Sequence, residues 1–348
     1  MNSPLWVPGT IGPMQIKNRV IRAATNEHLA HRDGRLSQAW SDNMIQLAQN
    51  EVGLVITGHM SVDRRERSDE GQAVLDEQTD LELLKRTAQG VHEAGGRIVA
   101  QLNHCGKKAS ERVNGHPPRL PAQFTLEELD RVVEQFRTAA LLCRQAGFDG
   151  VQIHNAYGHL LANFLNHVDN RRTDEYAGSL ENRFRLTARV IRAVRESCGP
   201  EFAILVKVGA NGYGDLRSLL KLYQAVGVDG VEVCAVDFDA KRWEKRAFCL
   251  EELLRAREGI DLPVSLVGGI FSQRTAERVL LSGIPFVSFS RALLCQPDFI
   301  ARMKRGEQEE SRCQVCDECF QSFRRRYVRC ILHRTPVPQL QEVFGPKE

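Results

Sequence analysis

Eight short apolar runs recur along the chain: RVIRAA (19–24), VGLVITG (52–58), GRIVAQLNH (96–104), DGVQIH (149–154), FAILVKV (202–208), DGVEVCA (229–235), PVSLVGG (263–269) and FVSFSR (286–291). They are nearly continuous in apolar character, as parallel strands covered on both faces are. Helical stretches lie between most of them. TDLELLKRTAQGVHEAG (79–95) opens on a Thr/Asp cap signal and stops at a glycine. TLEELDRVVEQFRTAALLCRQAG (125–147) carries a capping box, Thr125 with Glu128. SQRTAERVLLSG (272–283) is capped by Ser272 and closed by Gly283. Eight strand–helix alternations predict an α/β chain folded as a (β/α)8 TIM barrel. The competitor, a doubly wound open sheet, would want a G-x-G-x-x-G turn after its first strand. RAATNEHLA is no such turn. After Gly306 the chain becomes charged and Cys-rich. The expected division is a barrel over residues 1–305 and a short Cys-rich extension over 306–348.

A net charge of +3 over 348 residues argues against a nucleic-acid stripe or a membrane-binding surface. No run approaches the roughly 18 apolar residues of a membrane span. The N-terminus lacks a basic segment followed by an apolar core, so a cytoplasmic protein with reduced thiols is expected.

Barrel enzymes work at the C-terminal ends of their strands. Those ends carry Ala24, Thr25 and Asn26, then Thr57, Gly58 and His59, then Gln101, Asn103 and His104. The fourth leads to His154, Tyr157 and His159, and the fifth carries Lys207. The last two end in Gly268-Gly269 and Ser290-Arg291. Glycines, backbone N–H groups and an arginine at that place suit a phosphate. Ordinary turn chemistry accounts for the glycine pair equally well. A lysine on an apolar strand is costly without a partner, unless it snorkels to solvent. Lys207 is read as a cation held against a ring that becomes negative during reaction, and Gln101 as a reader of an amide-like ring edge. Phosphate at one side, with amide and cation contacts across the centre, describes a flavin mononucleotide (FMN) site.

The stretch VQIHNAYGHLLANFLNHVDNRRTDEYAGSLENRFRL resembles the signature of the old yellow enzyme family of FMN-dependent oxidoreductases, with NRRTDEYAGSLENR (170–183) its longest match. Supporting matches are IGPMQIKNRVIRAAT, AQLNHCGKKAS, AGFDGVQIH, LVGGIFSQ and RALLCQPDF, from about residue 4 to residue 305. The resemblance implies an FMN-bearing barrel. NADH or NADPH reduces the flavin, which then reduces an activated C=C bond in a small unsaturated carbonyl substrate. By position it places Gln101 at the flavin ring and Lys207 near the N1–O2 edge. Gly268, Gly269, Ser290 and Arg291 fall in the phosphate segment, with Ser290 in place of a common glycine. Asn26 falls near the O4–N5 edge with Gly58 beside it, and Ala24 and Thr25 share that strand end.

His154 matches the first substrate-binding histidine. Tyr157 and His159 stand in swapped order relative to the family's His/Asn and proton-donating Tyr. His154 and Tyr157 are the expected donors to the developing oxyanion, worth about 3–4 kcal/mol each when preorganised. His159 is the expected proton donor, since an ordinary imidazole pKa of about 6.5 suits proton transfer near neutrality. His59 and His104 are read as structural or loop positions. Short segments at 105–124 and 236–250 leave room for an open site.

Cys313, Cys316, Cys319 and Cys330 form C-x2-C-x2-C-x10-C, spacing that could hold a [4Fe–4S] cluster or a tetrahedral zinc. The multidomain members to which the barrel part is similar, 2,4-dienoyl-CoA reductase and trimethylamine dehydrogenase, carry an iron–sulfur motif just after the barrel. A metal-free tail is the alternative. The other six cysteines, Cys295 among them, are scattered singly. Three further readings stay open: an FMN-dependent dehydrogenase or demethylase, a zinc-stabilised RNA-binding tail at FRRRYVR (323–329), and a flavin-binding protein without reductase activity. A homo-oligomer is compatible with all of them.

Overall fold

The computed structural model describes residues 3–210, 213–235, 241, 243–322, 328 and 330–332. Eight parallel strands close into a barrel. They are β1 (Val20–Arg22), β2 (Leu54–Ile56), β3 (Arg97–Asn103), β4 (Gly150–Asn155), β5 (Ala203–Gly209), β6 (Gly230–Cys234), β7 (Val264–Val267) and β8 (Phe286–Phe289). Each pairs with its neighbours in chain order, and β8 pairs with β1 to shut the ring. Each falls on one of the eight apolar runs, with β4 and β5 reaching one residue further.

Helices α1 (Gln38–Gln49), α2 (Leu81–Glu93), α3 (Leu126–Gln145), α4 (Leu180–Cys198), α5 (Leu216–Val226), α6 (Leu250–Arg257) and α7 (Gln273–Leu281) separate the strands, and α8 (Arg291–Cys295) and α9 (Phe299–Lys304) follow β8. Capping chemistry sets their starts. Thr125 and Glu128 exchange hydrogen bonds ahead of α3. Asp80, rather than Thr79, caps α2, accepting from two backbone N–H groups. Along α3, Leu129, Val132, Phe136, Ala139, Ala140 and Cys143 are buried, the period-3.6 stripe that seats a helix on a barrel.

A β-hairpin of Gly9–Ile11 and Met14–Ile16 precedes β1. Its turn residue Gly12 has φ +52°, and a Cβ there would overlap Asp229. Ile11, Met14 and Ile16 pack with Ile21, Leu54, Ile56, Val99, Leu205 and Phe286 into one apolar cluster. The hairpin therefore plugs the N-terminal end of the barrel. Toward the C-terminal end the buried strand residues turn polar: Arg22, Gln101, Gln152, His154, Lys207 and Glu232. That polarity gradient positions the site.

The start of the Cys-rich segment docks on the loop after β7. Gln273 N–H donates to Glu309 O and Ser311 N–H to Phe271 O, both at 2.8 Å. Cys313, Val315 and Cys330 join the main core. The FRRRYVR stretch lies outside the described residues apart from Val328. Among the described residues no helix is long and apolar enough to cross a membrane.

Ile16 is 1% exposed in the plug. Ile16→Ala should lower the unfolding free energy by about 3 kcal/mol, from lost transfer energy and a residual cavity, as read by urea unfolding.

Candidate active site

Strand register builds the site. Parallel pairing sets His154 on β4 beside Lys207 on β5, and Lys207 beside Glu232 on β6. Lys207 Nζ lies 2.9 Å from Glu232 Oε2, with both side chains almost wholly buried. This carboxylate is the partner that a buried lysine requires. The sequence reading passed over it, although an acidic residue inside the apolar run 229–235 was the available signal. At that distance the Lys207 ammonium both donates to the carboxylate and balances its charge, and the carboxylate accepts from no other group among the described residues. Arg22 adds a second cation, ion-paired with the buried Glu27: burial lowers its pKa to about 9, and Glu232 opposes that shift.

Above this row opens a cavity of about 590 Å3. Ala24, Gln101, His154, Tyr157, His159, Lys207, Gly268, Gly269, Ser290 and Arg291 all line it. Three residues expected beside them do not. Thr25 Oγ1 lies 3.0 Å from Ser290 Oγ, at the flank. Asn26 spends its side chain locally, donating to Asp69 and accepting from the His28 N–H. Gly58 packs against the chain itself: a Cβ there would come 2.7 Å from the Thr25 carbonyl oxygen.

His59, read as structural from sequence, has its ring in the cavity wall, 5.9 Å from the His154 ring and 5.2 Å from that of His159. Its position just past β2 was the clue. His104 lies behind the cavity, edge-on to Phe124, and accepts from the Gly106 N–H. A hydrogen bond fixes one tautomer. The Gln72 carbonyl accepts from the Ser68 N–H, so its amide N–H donates to His59 Nδ1 at 2.7 Å, and the His59 proton sits on Nε2. The Asn103 amide bonds His159 Nδ1 at 3.1 Å. Among the described residues nothing hydrogen-bonds the buried His154 Nδ1.

Burial pushes His154 and His159 well below the ordinary imidazole range, helped by neighbouring histidines and lysines. The same desolvation takes His59 and His104 down to about 4. The cluster is therefore neutral at pH 7. Tyr157 sits at φ +54°, a strained conformation for an aromatic residue. The next N–H, of Gly158, donates to the Tyr213 hydroxyl at 3.2 Å. The Tyr157 hydroxyl bonds the Cys234 thiol, and its ring faces Lys207 Nζ at 5.8 Å.

At the far end, Gly268 and Gly269 have φ +127° and +70°. A Cβ on Gly268 would overlap the Phe248 ring, and one on Gly269 the Arg246 carbonyl. The glycine pair thus serves packing of the 246–248 segment as well as the cavity wall. Arg291 stacks over Phe271 at 5.4 Å and lies 3.6 Å from Asp317 of the Cys-rich segment. It also borders a second, small cavity lined by Cys313, Cys316, Cys319 and Cys330. Cys295, scattered in the sequence, hydrogen-bonds Cys313 and Cys330. That contact brings the Cys313 thiol down to about 7. Among the described residues no three His, Cys, Asp or Glu side chains are arranged to hold one metal ion.

A (β/α)8 barrel with a polar cavity at the C-terminal ends of its strands has the architecture of TIM-barrel enzymes. The sequence profile of the NADH:flavin oxidoreductase / NADH oxidase family matches residues 4–310, and the chain belongs to that family. It is 28% identical over 379 residues to the NADH oxidase of Thermoanaerobacter brockii, covering 98% of this chain but 57% of that one. It is 30% identical over 319 residues to the NADPH dehydrogenase of Bacillus licheniformis, covering 85% of this chain and 92% of the relative. The old yellow enzyme homologue from Zymomonas mobilis shares the fold at a TM-score of 0.79 and 24% identity, over 94% of this chain and 97% of its own. The chain thus spans little more than half the length of some relatives and nearly all of others.

The neutral histidines tie stability to pH. Unfolded, each titrates near 6.5; folded, His59 and His104 stay neutral down to about 4. Between those values the unfolded chain binds more protons. Stability is therefore full above about pH 6.5 and falls as pH drops, by up to about 1.4 kcal/mol per pH unit for each histidine. Thermal unfolding at pH 7, 6 and 5 should show Tm descending, with a shallower descent for His59→Asn.

Proposed function

We propose that this protein binds FMN across the barrel mouth and reduces an activated C=C bond of an unsaturated carbonyl compound, with NADH or NADPH as electron source. One observation carries the reading: a rim cavity lined by the buried Lys207 cation, Gln101 and His154, with Gly268, Gly269 and Arg291 at its far end. A cavity with a few convergent polar groups calls for a polar ligand. When bound, FMN supplies the hydride, from its N5.

The chain's own groups have distinct tasks. Gln101 Nε2 donates to Gln152 Oε1 at 2.6 Å, which leaves Gln101 Oε1 to accept from a ring N–H. Lys207 offers an ammonium to a ring edge that becomes negative. Arg291 and the backbone after Gly268 hold the phosphate, with Ser290 and Thr25 at its flank. Ala24 forms wall beside them, while Asn26 and Gly58 support that wall from behind. His154 donates to the substrate carbonyl oxygen. Tyr157 joins it by exchanging its Cys234 acceptor for the substrate.

His159 delivers the proton to carbon from Nε2. Its acid form is the imidazolium, whose Nδ1–H meets the neutral Asn103 amide. Burial and the neighbouring histidines and lysine keep that form scarce at neutral pH. Alkene reduction should therefore slow as pH rises from 5 to 8. Asn103→Asp gives Nδ1–H an acceptor and should move that descending limb to higher pH. His159→Phe should slow oxidation of the reduced flavin by a cyclic enone by about 10²–10⁴-fold in stopped flow, leaving flavin reduction by the nicotinamide intact. Flavin reduction by an amine or other donor without nicotinamide would mark a dehydrogenase instead.

In the 306–348 extension, Cys313, Cys316, Cys319 and Cys330 would hold a [4Fe–4S] cluster. Soft thiolates around one cavity suit it, and a cubane spreads its four ligands over four irons rather than one ion. The cluster would supply one-electron transfer. Anaerobically purified protein should contain about four irons and four acid-labile sulfides per chain, by colorimetric assay. Cys330→Ser should abolish both.

A further inference from the structure

We propose that Glu232 is a positioning residue that limits how much of the Lys207 charge reaches the flavin, an idea that rests on the FMN reading above. Lys207 lines the cavity and Glu232 does not. The carboxylate sits at the neighbouring register position on β6, 1% exposed and 2.9 Å from Nζ. Apart from the Lys207 ammonium it accepts from no group among the described residues, so its charge bears on that cation and on Arg22 nearby.

A flavin that takes two electrons and one proton from a nicotinamide hydride gains a negative charge, which gathers at N1–O2. A bare buried cation at that edge would stabilise the reduced form strongly, because charges inside a protein are weakly screened. A carboxylate directly behind the cation offsets that effect. A buried lysine could instead be satisfied by a neutral carbonyl or amide. The barrel uses such a neutral partner one strand pair away, where Gln101 bonds Gln152. The charged partner makes the bound flavin harder to reduce and, once reduced, a stronger hydride donor.

The test is the two-electron midpoint potential of flavin in the purified holoenzyme, by slow reduction against a reference dye. Four proteins are compared: wild type, Glu232→Gln, Lys207→Gln and the double variant. Removing the carboxylate should raise the ratio of reduced to oxidised flavin about tenfold at fixed dye potential, about 30 mV upward for this couple. Lys207→Gln should move the potential down, and the double variant should return near wild type. A purely structural pairing would change Tm but leave potential untouched. Should Glu232→Gln fail to fold, the double variant must still exceed Lys207→Gln. Equal potentials in wild type and Glu232→Gln, with Lys207→Gln shifted, would overturn the proposal and leave the FMN site standing. Protein that takes up no FMN, or a potential indifferent to Lys207→Gln, would bring down the site reading itself.

Discussion

The ion pair between Lys207 and Glu232 is the constraint around which the barrel mouth is organised. A lysine and a glutamate buried inside a closed sheet are each prohibitive alone. Parallel register resolves this, because β5 and β6 bring the two to one level, and β4 brings His154 to the same level. Beneath them the interior is sealed by hydrocarbon from the N-terminal hairpin and the lower strand residues. The cavity above inherits a floor that is charged, nearly neutral in sum and shielded from water. Such a floor can act on a bound ring at short range.

The rim follows a different logic. Three imidazoles, of His59, His154 and His159, crowd within about 6 Å of one another and stay uncharged. The Gln72 and Asn103 amides bond two of them. The result is a set of imidazoles without net charge, which suits polarising a carbonyl oxygen. In the proposed reaction, proton delivery depends on a minor cationic form. Tyr157, in a strained backbone conformation, turns its hydroxyl toward Cys234.

The Cys-rich segment is joined to the rim through one side chain. Arg291 borders both the large cavity and the cysteine-lined one, and meets Asp317 between them. Cys295 on α8 brings a fifth sulfur to Cys313 and Cys330. Arg291 thus links that segment to the end of the cavity where the proposed phosphate would sit.

The amino-acid sequence alone determined the barrel, because burial on both faces of a parallel strand writes a short apolar run that needs no partner to be read. Cap residues such as Thr125 and Ser272 were legible for the same reason, being bonded to atoms three residues away. The strand ends named part of the cavity wall as well: His154, Lys207, Gln101 and Arg291 all line it. Tertiary structure decided what each of them faces. Glu232 as the partner of Lys207, His59 as a wall residue, Asn26 turned toward Asp69 and Cys295 joined to the tail were settled by contacts between residues far apart in the chain. Periodicity reports the face of an element that is buried. Only closure of the barrel specifies which buried polar groups meet across it.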